Sequence, residues 1–530
     1  LNLSLLPLPL PTWSTIPAEV LGYLYTPGLK PSSPLLKDNG YGNLWDPSTG
    51  STAFAFSSGP RSDQSFRSAR KPRKKSSRRD TVPRSLSILN LLSCNTKPPH
   101  DARKEEHRTL SPTMVYVRQD RLPALKEYKY SGVDHSLTSK YILKPFYTNV
   151  VINIFPMSMA PNLITLTGFM FVVANVLTLL WYNPTLDQDC PSWVYYSWAI
   201  GLFLYQTFDA VDGSQARRTH QSGPLGELFD HGVDALNTSL EVLIFAASQN
   251  MGQSWMTVGV LFSSLLTFYV QTWDEYHTKT LTLGIVNGPV EGVLILVGVY
   301  ALTGYMGGAS FWQQSLLRTF GVSEKLGIPE SLYELSFTQW YMVQGALVLV
   351  FNTVESARNV IKARRARGDR SRGALLGLLP FFGMWVLIAS YLLLHPTILR
   401  SHLVPFVMFA GVVNAYSVGQ MITAHLVKLD FPYWNVLGLP LAFGVGDALG
   451  PKLQEYFGFG WPSALGDDVY QVAFMFLMLG MAIGVYGSFV VDVIVTICDY
   501  LDIWCLTIKH PWVEGRDGEG SAQVNGKKSQ

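Results

Sequence analysis

Apolar stretches long enough to cross a bilayer recur from about residue 160 to residue 505, and this repetition constrains the chain more than any other feature. Charged residues make up 15% of the 530 and hydrophobic residues 48%, where roughly a quarter of an ordinary soluble chain is charged. The reading is an all-α, polytopic membrane protein. About ten transmembrane helices are expected, near 162–182, 193–212, 229–249, 254–274, 290–306, 339–357, 374–394, 402–424, 432–449 and 469–500.

Residues 1–135 differ from this, being polar, basic and rich in Ser and Pro. The segment 67–80, RSARKPRKKSSRRD, carries eight Lys/Arg; its composition reads as disorder, and a solvated tail accounts for it without a nucleic-acid partner. The first methionine is Met114. Residues 1–113 are therefore expected to be a disordered basic extension outside the fold, whose origin as an upstream reading, a processed leader or a gene-prediction extension stays open. A chain starting at Met114 is expected to insert and keep full activity. Residues 136–156, SLTSKYILKPFYTNVVINIFP, mix Lys with Tyr, Ile, Val and Phe and suit a helix lying in the membrane interface.

The connecting loops set the orientation. Arg217 and Arg218 follow the second span, and Arg358, Lys362, Arg364, Arg365, Arg367, Arg370 and Arg372 follow the sixth. Both loops belong in the cytosol by the positive-inside rule, and with an even number of spans both termini lie there too. Trp181, Tyr182, Trp193, Tyr195, Tyr196, Trp273, Tyr276, Trp340 and Tyr341 crowd the span ends as interfacial anchors. Cys94, Cys190, Cys498 and Cys505 are too scattered for a zinc cluster or a disulfide framework and are expected to be packing residues.

Between the second and third apolar runs stands DAVDGSQARRTHQSGPLGELFDHGVD, residues 209–234. Asp209 and Asp212 are three apart and Asp230 and Asp234 four apart, so each pair shares a helix face. Gly223, Pro224 and Gly226 allow the chain to turn back so that the pairs confront each other. Four like charges in one cleft repel unless cations separate them, and hard divalent ions favour carboxylate oxygens. Two such ions form a clamp for displacement at phosphorus. The plainer reading, solvated aspartates that cap helices and pair with Arg217 and Arg218, suits one or two aspartates better than four.

The spacing Asp209-x2-Asp212-Gly213-x2-Ala216-Arg217-x8-Gly226-x3-Asp230-x3-Asp234 resembles the CDP-alcohol phosphotransferase signature at all eight positions. The wider string GSQARRTHQSGPLGELFDHGVDAL, set among about ten spans, is similar to the eukaryotic choline/ethanolamine phosphotransferase branch of the Kennedy pathway, over roughly residues 115–510. The resemblance implies transfer of phosphocholine or phosphoethanolamine from its CDP carrier to diacylglycerol, forming phosphatidylcholine or phosphatidylethanolamine and releasing CMP. It implies two Mg²⁺ or Mn²⁺ ions held by Asp209, Asp212, Asp230 and Asp234, with Arg217 on phosphate. Gly213 and Ala216 would leave room for the nucleotide, and Gly226 would allow close helix approach. Asn162, in PNLITLTG, resembles the family's donor-contacting Asn, with a helix cap as the plainer alternative. A homodimer also fits the family.

Glu227 and His231 are i,i+4, so the carboxylate can orient the imidazole and raise its basicity, leaving the other ring nitrogen to take the diacylglycerol proton. The plainer alternative is a helix-surface ion pair. The later stretch WDEYHTKTLTLGIVNGPVEG, with Asp274, Glu275, His277 and Glu291 on the same cytosolic side, reads as an interfacial connector, with a part in shaping the headgroup or lipid site as the alternative; His277 is left outside the site. The expected organisation is 114–160 an N-terminal cytosolic segment with the interfacial helix, 161–360 the catalytic helices, 361–505 additional transmembrane helices and 506–530 a cytosolic tail. Lys527 and Lys528, near the C-terminus, resemble a dilysine retrieval signal and point to the endoplasmic reticulum or Golgi. Another CDP-alcohol branch, with inositol, serine or glycerol phosphate as acceptor, and a divalent-cation transporter remain as alternatives. Nothing in the residues separates choline from ethanolamine.

Overall fold

The computed structural model describes residues 116–284, 287–323, 326–369 and 372–512. The extension before residue 116, including Met114 and Cys94, the loop residue Arg370 and the C-terminal lysines lie outside the described residues. Ten long helices account for most of what is described: α1 (Pro161–Tyr182), α2 (Ser192–Arg218), α3 (Pro224–Ser248), α4 (Trp255–Thr278), α5 (Gly288–Tyr305), α6 (Phe337–Ala366), α7 (Gly373–Leu394), α8 (Leu403–Leu426), α9 (Gly438–Phe457) and α10 (Asp468–Leu501).

By length and composition α1, α4, α5, α7, α8 and α10 can each cross a membrane, which makes the chain an integral membrane protein. The other four, of 27, 25, 30 and 20 residues, coincide with expected spans but carry ionic residues along part of their length. α2 ends in the first aspartate pair and two arginines, and α3 opens with Glu227, Asp230 and Asp234.

Local chemistry sets the helix ends. Pro161 and Pro224 stand at the first positions of α1 and α3, where a missing N–H costs nothing. The Ser254 hydroxyl accepts from Met256 N at the start of α4, and Ser336 with Gln339 forms a capping box on α6. Lys279, Gly458 and Asp502 end α4, α9 and α10 in the left-handed region.

α3 and α8 form the middle of the bundle and are its most deeply buried helices. α8 packs on α3, α4 and α10; α1 packs on α2 and α3; α2 also packs on α5, and α6 on α4. Two glycines set these approaches. A Cβ at Gly411 of α8 would stand 2.1 Å from the Ser239 Oγ of α3, and one at Gly168 of α1 would stand 2.8 Å from Phe208 Cβ of α2. Small residues at such crossings let backbones come together where lipid gives no hydrophobic drive. Gly411→Ala is therefore expected to cost about 1–3 kcal/mol through overpacking, read as a lower thermal midpoint in detergent.

Several expectations change here. The interfacial helix at 136–156 is three short pieces: a π turn at Ser139–Leu143, an α-helix at Lys144–Asn149 and a 3₁₀ turn at Val151–Ile154. Its apolar residues divide between an inner set, Leu143, Tyr147, Val151 and Ile152, and an outer set, Tyr141, Ile142, Val150 and Ile154. The fold is not purely helical, because β1 (Gly132–Asp134) pairs in parallel with β2 (Leu281–Leu283), satisfying backbone groups of two extended connectors. The domain boundary expected after residue 360 falls inside α6. Of the expected anchors, Trp181 and Trp193 are exposed, but Tyr195 and Trp273 are fully buried because their polar tips have internal partners. The Tyr195 hydroxyl accepts from Cys190 N at 2.9 Å, and Trp273 Nε1 donates to the Ala374 carbonyl at 3.1 Å.

Candidate active site

The turn between α2 and α3 is tight: His220 has φ 57° and Gly223 is the N-cap of α3. It folds the C-terminal turns of α2 against the N-terminal turns of α3, and this brings the two aspartate pairs together. One carboxylate oxygen from each of Asp209, Asp230 and Asp234 lies within 4.8 Å of the others. The fourth aspartate, Asp212, is buried and stands outside this trio. Thr165 of α1 donates to its Oδ2, and the close approach at Gly168 makes that contact possible.

The charges are not neutralised from within. None of the four forms an ion pair with Lys or Arg among the described residues. Asp209 Oδ1 and Asp230 Oδ1 are buried without a hydrogen-bond partner there. Buried anionic oxygens left unsatisfied are costly unless something outside the chain binds them. A set of hard carboxylate oxygens that converge, two of them without a protein donor among the described residues, fits a divalent cation. Such an ion, when bound, supplies Lewis-acid polarisation of phosphate oxygens.

The two adjacent arginines have different roles. Arg218 Nη1 donates to the carbonyls of Ile152 (2.8 Å) and Phe155 (3.2 Å), and Gln215 Nε2 donates to those of Pro156 (2.9 Å) and Met159 (3.1 Å). Both side chains pin the segment before α1 onto α2. Arg217 is exposed, and its Nη2 donates only to Ser214 Oγ at 3.0 Å, one turn away, among the described residues. Its guanidinium remains able to take an anion.

The small residues behave unequally. A Cβ at Gly213 would meet only Arg217 Nη1, at 3.6 Å, and one at Gly226 would meet nothing within 4 Å. Gly226 therefore mediates no close helix contact; it leaves open space beside the cleft. Ala216 is half-buried on the same turn as Gly213. Asn162 is not the cap of α1, whose N-cap Ala160 has no side-chain bond. Its Nδ2 donates instead to the Cys505 carbonyl at 3.1 Å, tying the start of α1 to the chain after α10.

His231 makes no bond to its expected partner Glu227 among the described residues. Its Nδ1 is 3.8 Å from Glu275 Oε2 on α4, and both side chains are largely buried. Glu227 is buried on the first turn of α3 and has no hydrogen bond or ion pair among the described residues. Glu275 thus stands beside His231, although the residue pattern marks it chiefly as part of a connector. No local spacing signals it, since α4 is brought to α3 only by packing. His277 is buried among Trp273, Tyr276 and Phe431.

Three tyrosines that the residue pattern does not single out also border the site. The Tyr205 hydroxyl, one turn before Asp209, donates to Asp234 Oδ1 across the cleft. Burial pushes the Tyr147 phenol up to about 12, with the nearby Asp209 charge acting in the same direction, and its hydroxyl has no partner among the described residues. Tyr130, just before β1, is within electrostatic range of Glu275, Asp230, Arg217 and Asp212. Tyr205 alone carries a readable signal, an i,i+4 spacing from Asp209.

This arrangement agrees with the comparisons to known proteins. The family model for CDP-alcohol phosphatidyltransferase matches residues 158–321, which span the cleft. An uncharacterised CDP-alcohol phosphatidyltransferase class-I family protein of Schizosaccharomyces pombe is 43% identical over 74% of this chain and 98% of its own length. The chain belongs to the CDP-alcohol phosphatidyltransferase family. Within this family, choline/ethanolaminephosphotransferase 1 of Saccharomyces cerevisiae is 39% identical over 74% of the chain and 98% of its own length. The Arabidopsis thaliana protein of the same name is 37% identical over 74% and 99%. These matches extend the family likeness well beyond the cleft, to most of the helices described above.

Proposed function

We propose that this family member transfers phosphocholine or phosphoethanolamine from its CDP carrier to diacylglycerol, releasing CMP. The observation that carries the proposal is the cleft of Asp209, Asp230 and Asp234, in which Asp209 Oδ1 and Asp230 Oδ1 have no partner among the described residues, near the imidazole of His231. The relatives named for this activity support the choice of substrates.

In this reading Asp209, Asp212, Asp230 and Asp234 would hold two Mg²⁺ or Mn²⁺ ions, which would offset the charge of the donor's pyrophosphate. Arg217 contacts a phosphate oxygen. Gly213 and Ala216, with the open space beside Gly226, leave room for the nucleotide, and Asn162 steadies the start of α1 near the donor. The diacylglycerol hydroxyl oxygen attacks the phosphorus that bears the headgroup. A new P–O bond forms, the bond to the CMP oxygen breaks, and the hydroxyl proton passes to His231 Nε2. His231 is thus the catalytic base.

The proposed topology has all ten long helices crossing the membrane, with the segment 139–154 in the interface, both termini in the cytosol and the site facing the cytosol. Two contacts support a shared side for the basic loops: His231 links the start of α3 to the end of α4, and Arg367 at the end of α6 donates to the His277 carbonyl. Residence in the endoplasmic reticulum or Golgi and a homodimeric state complete the reading.

The deciding experiment gives the purified protein diacylglycerol with equal amounts of labelled CDP-choline and CDP-ethanolamine, in Mg²⁺. Label is expected in phosphatidylcholine, phosphatidylethanolamine or both, with stoichiometric CMP. Absence of label from both phospholipids with donor, diacylglycerol and Mg²⁺ all present, or metal uptake into vesicles without any transfer, would overturn the proposal.

A further inference from the structure

The site places a second carboxylate at the imidazole, on a different helix. Glu275 Oε2 stands 3.8 Å from His231 Nδ1, with 7% and 13% of the two side chains exposed. Its helix is fixed on both sides of this position: Trp273 Nε1 donates to the Ala374 carbonyl at 3.1 Å, and the Tyr276 hydroxyl donates to the Leu429 carbonyl at 2.8 Å. A carboxylate between two such anchors holds a defined place relative to α3.

Competing partners are poorly set. Lys279, one turn after Glu275, has its Nζ 3.4 Å from His425 Nδ1 and makes no ion pair with Glu275 among the described residues. Glu227 presents a like charge to Glu275. Among the described residues Glu275 is the carboxylate that comes within 4 Å of the ring.

We infer that Glu275 is the positioning residue for His231, holding Nδ1 so that Nε2 points at the lipid hydroxyl. The inference rests on the reading of His231 as the proton acceptor. A contact fixed across two helices sets the ring against the cleft, which a partner on the histidine's own helix does not do. The gap of 3.8 Å needs to close by about 1 Å to become a hydrogen bond, as catalytic contacts commonly do once substrate is bound.

The test measures donor and diacylglycerol kinetics of purified full-length variants. Glu275→Gln keeps the shape and is expected to lower kcat by roughly 10–100-fold, part of the loss expected for removing a base, with donor KM within about twofold. Glu275→Asp is expected to recover part of that loss. In a His231→Ala background, Glu275→Gln is expected to cost nothing further, because the two residues act as a unit.

Wild-type turnover in Glu275→Gln, alongside a large loss in His231→Ala, overturns the role of Glu275 and leaves the base assignment intact. Equal fractional losses in both backgrounds mean a structural role and overturn it as well. An active His231→Ala removes the base assignment, and this inference with it. If Glu275→Gln fails to fold, the kcat and KM of Glu275→Asp decide instead: a raised KM with unchanged kcat overturns the inference.

Discussion

Asp209→Asn, Asp230→Asn and Asp234→Asn are each expected to lower turnover by more than about 100-fold, since groups that merely orient metal ligands are already worth about 10–100-fold. Each substitution keeps the volume and removes one of the three oxygens that converge within 4.8 Å. Asp212→Asn is expected to lower turnover in the same direction by a smaller factor, because one of its oxygens already accepts from Thr165. The folded state is expected to survive in all four. In the absence of metal, removal of one charge from a crowded anionic cleft relieves repulsion. The variants are therefore expected to match or exceed the wild-type thermal midpoint in chelator while losing the stabilisation that added Mg²⁺ gives the wild type. Measured midpoints with and without Mg²⁺, set beside turnover, check both halves. Near wild-type activity in two of the four variants would refute a two-ion site.

His231→Ala carries the second large effect. A lost general base is expected to cost roughly 10²–10⁴ in kcat with little change in donor affinity. Metal binding is expected to persist, because His231 lies beside the three converging oxygens and contributes none of them. Glu227→Gln is expected to lower turnover by less, since this carboxylate makes no bond to the ring among the described residues. Stopped-time assays at saturating donor, with Mg²⁺ titrated in parallel, separate loss of chemistry from loss of binding. If His231→Ala keeps most of its activity, the proton leaves by another route, through Asp234 or a metal-bound hydroxide.

Much of the fold is legible in the order of residues along the chain. Apolar runs flanked by aromatic residues locate the ten long helices of the described residues to within a few residues at most ends, and for the six apolar enough to cross a membrane the reason is that in lipid each helix must satisfy its own backbone. The i,i+3 and i,i+4 aspartates, separated by a stretch with Gly and Pro, are enough to predict a cleft that concentrates negative charge. Helical geometry places such residues on one face whatever else the protein does.

What packs against that cleft is not legible in the same way. Glu275 is 44 residues from His231 in the chain and meets it only because α4 lies along α3. Thr165 reaches Asp212 only because Gly168 admits α2 so closely. Trp273 and Tyr195 look like interfacial anchors in one dimension, yet they are buried because hydrogen-bond partners on other segments satisfy their polar tips. The sequence by itself determined the helices, the pairing of the aspartates and the chemistry they favour, since these depend on periodicity and on residue type along one segment. The tertiary structure alone decided which carboxylate comes nearest His231, which aspartate stands apart from the three that converge and which arginine is left exposed, because each depends on side chains brought together from helices that share no local pattern.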